Sequence, residues 1–330
     1  MELVLNSWGT YINKSGKMFE IKKEDKKKKI SPLKVSSIII SPGITLSSNV
    51  LEMALKHNID IVMLDNLGKP IGRFWHAKMG STAQIRRAQL QLAKSSEGLR
   101  YGTRWVIGKF QNQIKYLEST IKRRTRHHKP IKKMIRTLKG KIEEVQALEG
   151  NINDVRNKIV GIEGSAGQMW WKLLSKLVPQ SFQFNGRSYQ PAQDEFNAML
   201  NYGYGMLYGK VEKRVVIAGL DPYIGFIHTD NYNKISFVFD VIEKYRPWID
   251  MTILKLIGNK KVKKRTHFKK ITNGIFLGEE GKKMLVPAVN KFLDGKIRYK
   301  GKNQKRKDII QKDLHTFASH ILEKYQQEEK

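Results

Sequence analysis

The sequence predicts an α+β chain, with a small strand-built N-terminal domain followed by a larger helical one. Three observations point there. Short β-branched runs separated by turn chemistry fill the first third. From about Ser81 onward, apolar residues recur at helical spacing instead. The basic excess also lies almost wholly in this second part, with 49 basic against 23 acidic residues over 86–330 and 13 against 7 over 1–85. A length of 330 residues suits two domains, 1–80 and 81–330, and 40% hydrophobic residues can build a core in each.

In the first domain, Glu2 to Leu5, Thr10 to Ile12 and Met18 to Ile21 read as strands. Asn13-Lys14-Ser15-Gly16 supplies a hairpin turn between the last two. Lys22 to Lys29 holds six lysines and reads as a solvated loop or a strand edge, where lysine blocks unwanted pairing. Val35 to Ile40 is a further strand. Ser47 or Ser48 caps a helix through about Lys56. Ile59 to Leu64 and Pro70 to Trp75 form two more strands around a turn at Asn66 to Gly68. In the second domain, Ile85, Ala88, Leu92, Leu99, Val106, Phe110, Ile114 and Leu117 form the buried stripe of one or two helices. Lys122 to Lys141 carries ten Lys or Arg and no acid, interrupted by His127, His128 and Pro130 at a helix-to-helix connection. Arg298 to Lys307 is another basic segment, and Ile309 to Tyr325 forms a last amphipathic helix.

Net charge of +32 speaks to partners more than to fold. It favours polyanions, because each phosphate neutralised releases condensed counterions. No amphipathic anchor for a membrane surface accompanies it. The absence of cysteine excludes disulfides, thiolate nucleophiles and Cys-ligated zinc. No apolar run reaches membrane-spanning length, and Met1 to Leu5 is not followed by a signal-peptide core, so a cytoplasmic protein is expected.

Three segments carry candidate chemistry. In Gly161-Ile162-Glu163-Gly164-Ser165-Ala166-Gly167, glycines crowd one carboxylate ahead of a stripe at Met169, Trp170, Leu173 and Leu174. This spacing places Glu163 at or near a helix N-terminus, where negative charge is favoured. Gly219 to His228 is a glycine- and proline-shaped turn ending on a lone histidine, which on its own reads more readily as a packed core residue than as a ligand. Asp240 and Glu243 stand three apart on one helical face, before a helix end or kink at Pro247. Such a pair is commonly a solvated face. Taken together, two or three carboxylates and an imidazole form a hard donor set that suits Mg²⁺ or Mn²⁺. In so cationic a chain they point to a metal-dependent nuclease or phosphoryl-transfer enzyme.

In order and spacing the segments resemble the CRISPR-associated protein one family, the catalytic subunit of spacer acquisition. Gly161 to Gly164 resembles its first catalytic motif. Asn197 to Tyr204 is similar to its Asn-and-Gly-Tyr helix, Gly219 to His228 to its Gly-Leu-Asp-Pro…Gly…His motif, and Asp240 to Pro247 to its carboxylate pair with Arg-Pro. Leu46 to Ser48, Asp60 to Asp65 and Gly68 to Arg73 extend the resemblance over nearly the whole chain. It departs at Arg187 to Phe196, where relatives carry a compact Arg-Pro-Pro-x-Asp-Pro segment, so no role carries over to Arg187 or Asp194.

The resemblance implies that Glu163, His228 and Glu243 hold a catalytic Mg²⁺ or Mn²⁺ and that Asp240 supports the site. Arg246 matches a residue that contacts phosphate or braces Glu243; Asn197 and Tyr202 match wall or packing positions. The implied fold is a β-sandwich-like dimerisation domain followed by a larger all-α catalytic, DNA-binding domain. Implied partners are a second copy of the chain, a small second adaptation protein, and double-stranded DNA as prespacer and CRISPR repeat. The implied reaction is transesterification, in which a prespacer 3′-hydroxyl attacks a phosphodiester at a repeat boundary; with water in its place the site cuts DNA. A related transposon-type integrase would share the constellation but favours a long extra DNA-binding domain after it. A non-catalytic DNA-binding scaffold would need the charge and not the acidic set.

Overall fold

The computed structural model describes residues 1–65, 70–74, 83–121, 125–229 and 234–328. The chain divides into two compact units, Met1–Met79 and Gly80–Lys330. The turn expected at Asn66 to Gly68, Trp75, and the first three residues of the basic run lie outside the described residues.

The first unit contains strands β1 (Glu2–Leu5), β2 (Tyr11–Ser15), β3 (Met18–Lys23), β4 (Lys26–Ile30), β5 (Ser37–Ile40), β6 (Thr45–Leu46), β7 (Asp60–Leu64) and β8 (Pro70–Phe74), with helix α1 (Ser48–Lys56) before β7. They form two four-stranded sheets, ordered β1-β5-β7-β8 and β4-β3-β2-β6. In the first sheet β1, β5 and β7 run parallel and β8 antiparallel. Leu3, Leu5, Ile38 and Ile61 from this sheet share one core with Ile12, Phe19 and Ile30 from the other and with Val50 and Ala54 of α1. The hairpin turn falls later than expected: Asn13, Lys14 and Ser15 pair within β2, and the chain reverses at Gly16 with φ of +61°. The lysine run splits into the end of β3, a turn with Glu24 at φ of +52°, and the edge strand β4. Lys26 to Lys29 are exposed there and only Ile30 is buried, so the edge is charged along its length. Ser47 occupies the N-cap of α1, yet its hydroxyl donates to Asn13 Oδ1 at 2.8 Å and accepts no helix N–H.

The second unit is built on α2 (Ala83–Lys94), α3 (Gly98–Ile121), α4 (His128–Gln146), α5 (Ile152–Leu177), α6 (Glu195–Ile217), α7 (Ser236–Glu243), α8 (Arg246–Gly258), α9 (Lys264–His267), α10 (Glu279–Asp294) and α11 (Arg306–Glu328). It also carries two antiparallel hairpins, which the helical expectation did not contain: β9 (Phe268–Ile271) with β10 (Gly274–Leu277), and β11 (Lys296–Tyr299) with β12 (Lys302–Lys305). The basic segment from Arg298 is thus mostly hairpin. The expected stripe is the buried face of α2 and α3, with Ile85 half-buried and the other seven residues buried.

Two local expectations change. Glu163 does not begin a helix: α5 starts at Ile152, and Glu163 lies in its interior. Each glycine inside a helix costs about 1 kcal/mol. Burial of Val155, Ile159, Ala166, Trp170, Leu173 and Leu174 along one stripe outweighs that cost and carries the helix through Gly161, Gly164 and Gly167. Pro247 neither ends nor kinks α7. That helix closes at Glu243, and Pro247 occupies the first turn of α8, where its missing N–H is harmless.

Aromatic packing fixes the elements that bear the site. Phe237 of α7 stacks on Phe317 of α11 with ring centroids 5.6 Å apart, and Phe226 and Trp105 meet the same pair. This anchors α7 and the loop before it against α3 and α11. Among the described residues no helix is long and apolar enough to cross a membrane.

Candidate active site

The 219–228 loop is held from three sides. Gly219 takes a left-handed φ of +79° directly after α6. At Gly225 a Cβ would stand 2.5 Å from the His228 carbonyl oxygen and 2.6 Å from Ser236 Cβ, so only glycine allows the loop to close on α7. Gln89 of α2, fully buried, clamps the loop's first half. Its amide donates to the Asp221 and Ile224 carbonyls at 3.0 and 2.9 Å and accepts the Asp221 N–H at 2.8 Å.

Asp240 holds the second half. Its carboxylate, 1% exposed, accepts the consecutive backbone N–H groups of Phe226, Ile227 and His228 at 2.6, 3.2 and 3.0 Å. It also accepts His228 Nδ1–H at 2.7 Å. That bond fixes the ring's orientation and tautomer and leaves the Nε2 lone pair free to ligate a metal. Asp240 is therefore a buried bracket and not part of a solvated face.

Glu163 and Glu243 come from different helices and meet at one cation. Lys109 of α3 donates from Nζ to Glu163 Oε1 and to Glu243 Oε2, the latter at 2.8 Å. The other oxygen of Glu243 pairs with Arg246 Nη1 at 2.6 Å. Arg246 thus braces Glu243, and its guanidinium lies over the Tyr204 ring at 5.3 Å. Burial pushes the Glu243 carboxyl up, but Arg246 and Lys109 outweigh it and hold the carboxyl down at about 2. Burial likewise disfavours the Lys109 charge, and Glu243 and Glu163 outweigh it, so the ammonium is held above the ordinary lysine range. Both partners are charged at neutral pH.

Glu163, His228, Asp240 and Glu243 all line one cavity of about 300 Å³, with Arg156 and Lys234 on its wall. Two carboxylates and an imidazole of fixed tautomer, with no thiol, are the donor chemistry that Mg²⁺ or Mn²⁺ takes. Asp240 is already committed to four hydrogen bonds and would act behind His228. Among the described residues no three acidic or imidazole side chains form a ready-made ion cluster. Lys109 bridges the two glutamates instead. The donor set fits a hard divalent ion in kind, with an ammonium drawing its carboxylates together.

Asn197 and Tyr202 are not among the residues lining this cavity. Asn197, fully buried, ties down the loop before α6: it donates to Gly186 O and Asp194 Oδ2 and accepts from Arg187 and Ser188 N. Asp194 is the α6 N-cap, accepting Asn197 N–H at 2.7 Å. Arg187 bonds Asn197 and Asn201 and stacks on Tyr189. Tyr202 receives Lys282 over its ring at 5.8 Å. Sequence reading missed Lys109, Gln89 and Arg156, whose guanidinium donates to the Phe226 carbonyl at 3.3 Å. The one signal was a polar residue at a buried position of a helical stripe.

A family model described as CRISPR associated protein Cas1 matches residues 3–291. The chain is 31% identical over 324 residues to CRISPR-associated endonuclease Cas1 1 of Archaeoglobus fulgidus, covering 94% of this chain and 93% of that one. It is 28% identical over 296 residues to CRISPR-associated endonuclease Cas1 2 of Saccharolobus solfataricus, covering 90% and 86%. In fold it is similar to a casposase bound to integration product, at a TM-score of 0.83 and 23% identity over 98% of this chain and 91% of that one. A Cas1 protein from Thermotoga maritima superposes at 0.79 with 21% identity, covering 97% and 96%. The matched segment contains Glu163, His228, Asp240 and Glu243 as well as the first unit's core and most of the second's, and the chain belongs to the Cas1 family of CRISPR-associated proteins.

Proposed function

We propose that this chain is a divalent-metal-dependent DNA endonuclease and integrase that inserts prespacer ends into a CRISPR array. One observation carries the reading: Glu163, Glu243 and His228 converge on a single cavity in a unit with a net charge of +26 over 86–330. Support comes from relatives named as endonucleases and from a fold similar to a casposase bound to integration product. Fold similarity to a Cas6-RT-Cas1–Cas2 complex, covering 98% of this chain and 35% of that one at a TM-score of 0.78, supports a small second adaptation protein as partner.

Glu163, Glu243 and His228 Nε2 would hold Mg²⁺ or Mn²⁺. Such an ion supplies Lewis-acid stabilisation of charge on a phosphoryl oxygen and a more acidic attacking hydroxyl. Lys109 and Arg246 keep Glu243 ionised, and Asp240 keeps the imidazole aimed. Arg156 and Lys234 give the cavity wall positive charge that receives a phosphodiester. In the reaction a DNA 3′-hydroxyl oxygen bonds to phosphorus, and the bond to the array strand's own 3′-oxygen breaks. That oxygen leaves as a new hydroxyl. One phosphodiester replaces another, so no covalent protein intermediate is needed.

Glu163→Ala, His228→Ala and Glu243→Ala should each abolish strand transfer into a repeat-containing plasmid, and EDTA should abolish it in the parent. Affinity for DNA measured in EDTA should survive in all three, since it comes from many Lys and Arg contacts. Wild-type joining by Glu163→Ala, or full activity in EDTA, rejects the assignment. The strand-built unit is the proposed dimer surface. Removing residues 1–78 should give monomers that keep some DNA affinity, and a truncated chain that sediments as a dimer rejects this.

A further inference from the structure

The site's carboxylates are already matched or exceeded by cations before any ion arrives. Glu163 and Glu243 bring two negative charges, and Lys109 and Arg246 answer with two positive ones. Asp240 adds one negative charge, and Arg156 and Lys234 on the wall add two positive. A divalent cation entering this cavity would raise an already positive site further, within a chain of net charge +32. Both oxygens of Glu243 are engaged, one by each cation. Lys109 itself is 8% exposed and is not among the residues lining the cavity. It reaches the carboxylates from α3, whose Val106 lines the same cavity.

We propose that Lys109 is a resident counter-ion that makes metal loading depend on DNA. In the free protein the ammonium holds the two carboxylates together and opposes a second cation between them. A DNA phosphate entering the cavity supplies the negative charge that the ion needs. DNA and metal then bind with positive coupling, and each strengthens the other by the same factor. Lys109 is a positioning residue here, acting through Glu163 and Glu243 and touching neither DNA nor the reacting atoms. The inference rests on the metal reading proposed above.

Binding measured without catalysis tests it. Mn²⁺ affinity is read by electron paramagnetic resonance of the free ion, for the full chain alone and with a duplex ended in 3′-dideoxynucleotides. The parent should bind Mn²⁺ weakly alone and at least about tenfold more tightly with the duplex. Lys109→Met should bind Mn²⁺ at least about tenfold more tightly than the parent without DNA, and gain little from the duplex. Its thermal midpoint in EDTA should fall below the parent's and recover on adding Mn²⁺. Lys109→Arg, which keeps the charge, should keep the parent's coupling.

Failures separate cleanly. If Glu163→Gln binds Mn²⁺ like the parent, the ion is not held here, and the metal reading and this inference fall together. If Glu163→Gln loses the ion but Lys109→Met binds no more tightly than the parent, the counter-ion inference falls and the metal reading stands. Lys109→Gln, which loses the charge but can still hydrogen-bond, serves as a second variant should the methionine unfold. Failure of both to fold in Mn²⁺ also overturns the proposal, since the ion then cannot stand in for the ammonium.

Discussion

His228 Nδ1 lies 2.7 Å from Asp240 Oδ1, and the same carboxylate receives the backbone N–H of His228 at 3.0 Å. One side chain thus fixes both where the histidine sits and which ring nitrogen faces the cavity. Asp240→Asn keeps the size but offers one acceptor oxygen in place of two, and its amide can hold the wrong tautomer. Strand transfer should fall by about ten- to a hundredfold, with metal affinity falling in parallel, as for other partners of metal-binding histidines. DNA affinity measured in EDTA should not move. A variant with parental Mn²⁺ affinity would show that Asp240 serves loop stability alone.

Gln89 bears on the same loop from outside the motifs. The side chain is fully buried, and its three hydrogen bonds to the Asp221 and Ile224 backbone are partly so. Gln89→Leu fills the space but leaves two carbonyls and one N–H unsatisfied, at a cost of about 2–4 kcal/mol. Urea unfolding should show that loss, and strand transfer should fall as the turn leading to His228 loosens. Unchanged stability would mean that the loop keeps its shape without the clamp.

The difference between Gln89 and the motif residues explains what the sequence made legible. Strands such as Glu2–Leu5 and the α2–α3 stripe were readable because alternation and helical spacing are local. The two hairpins of the second unit were not. Phe268–Ile271 and Lys302–Lys305 are mostly exposed and lysine-rich, so they lack the apolar face that marks a strand. The glycines around Glu163 read as a helix start because their local cost is visible, whereas the tertiary burial that overrides it is not. Lys109 sits on a mostly apolar helical face, where a lysine looks like any other snorkelling side chain. Its partners lie 54 and 134 residues away, a separation no local pattern encodes.

Helix α4 tests where DNA is held. Ile131, Met134 and Leu138 are buried, while Lys132, Lys133, Arg136 and Lys139 are exposed. Changing these four to Glu leaves the core untouched. Affinity for duplex DNA should drop, and the slope of log affinity against log salt should flatten by about 0.9 for each phosphate that is no longer neutralised. Mn²⁺ binding without DNA should stay parental. An unchanged salt slope would mean that this face is only solvated.

Asp250 of α8 offers a pH test independent of metal and DNA. It is 1% exposed and accepts Trp170 Nε1–H at 3.0 Å and the Tyr204 hydroxyl at 2.5 Å. Burial pushes its carboxyl up to about 6 from an ordinary 3.8, against the pull of those two hydrogen bonds. The folded chain therefore binds this proton more tightly than the unfolded chain. Between those two values the folded state carries more protons, so this group's contribution to stability falls as pH rises. The cost of ionised Asp250 is complete above about pH 6 and disappears as pH falls towards 4. Asp250→Asn removes the titration while keeping the shape. Its stability relative to the parent should improve by roughly 2–3 kcal/mol on going from about pH 4 to about pH 7.5, whatever its offset from the exchanged acceptor. Urea unfolding in EDTA across that range reads the difference directly. Parallel curves for the two proteins would mean that Asp250 titrates as an ordinary carboxylate, and that the Trp170 and Tyr204 bonds fully compensate its burial.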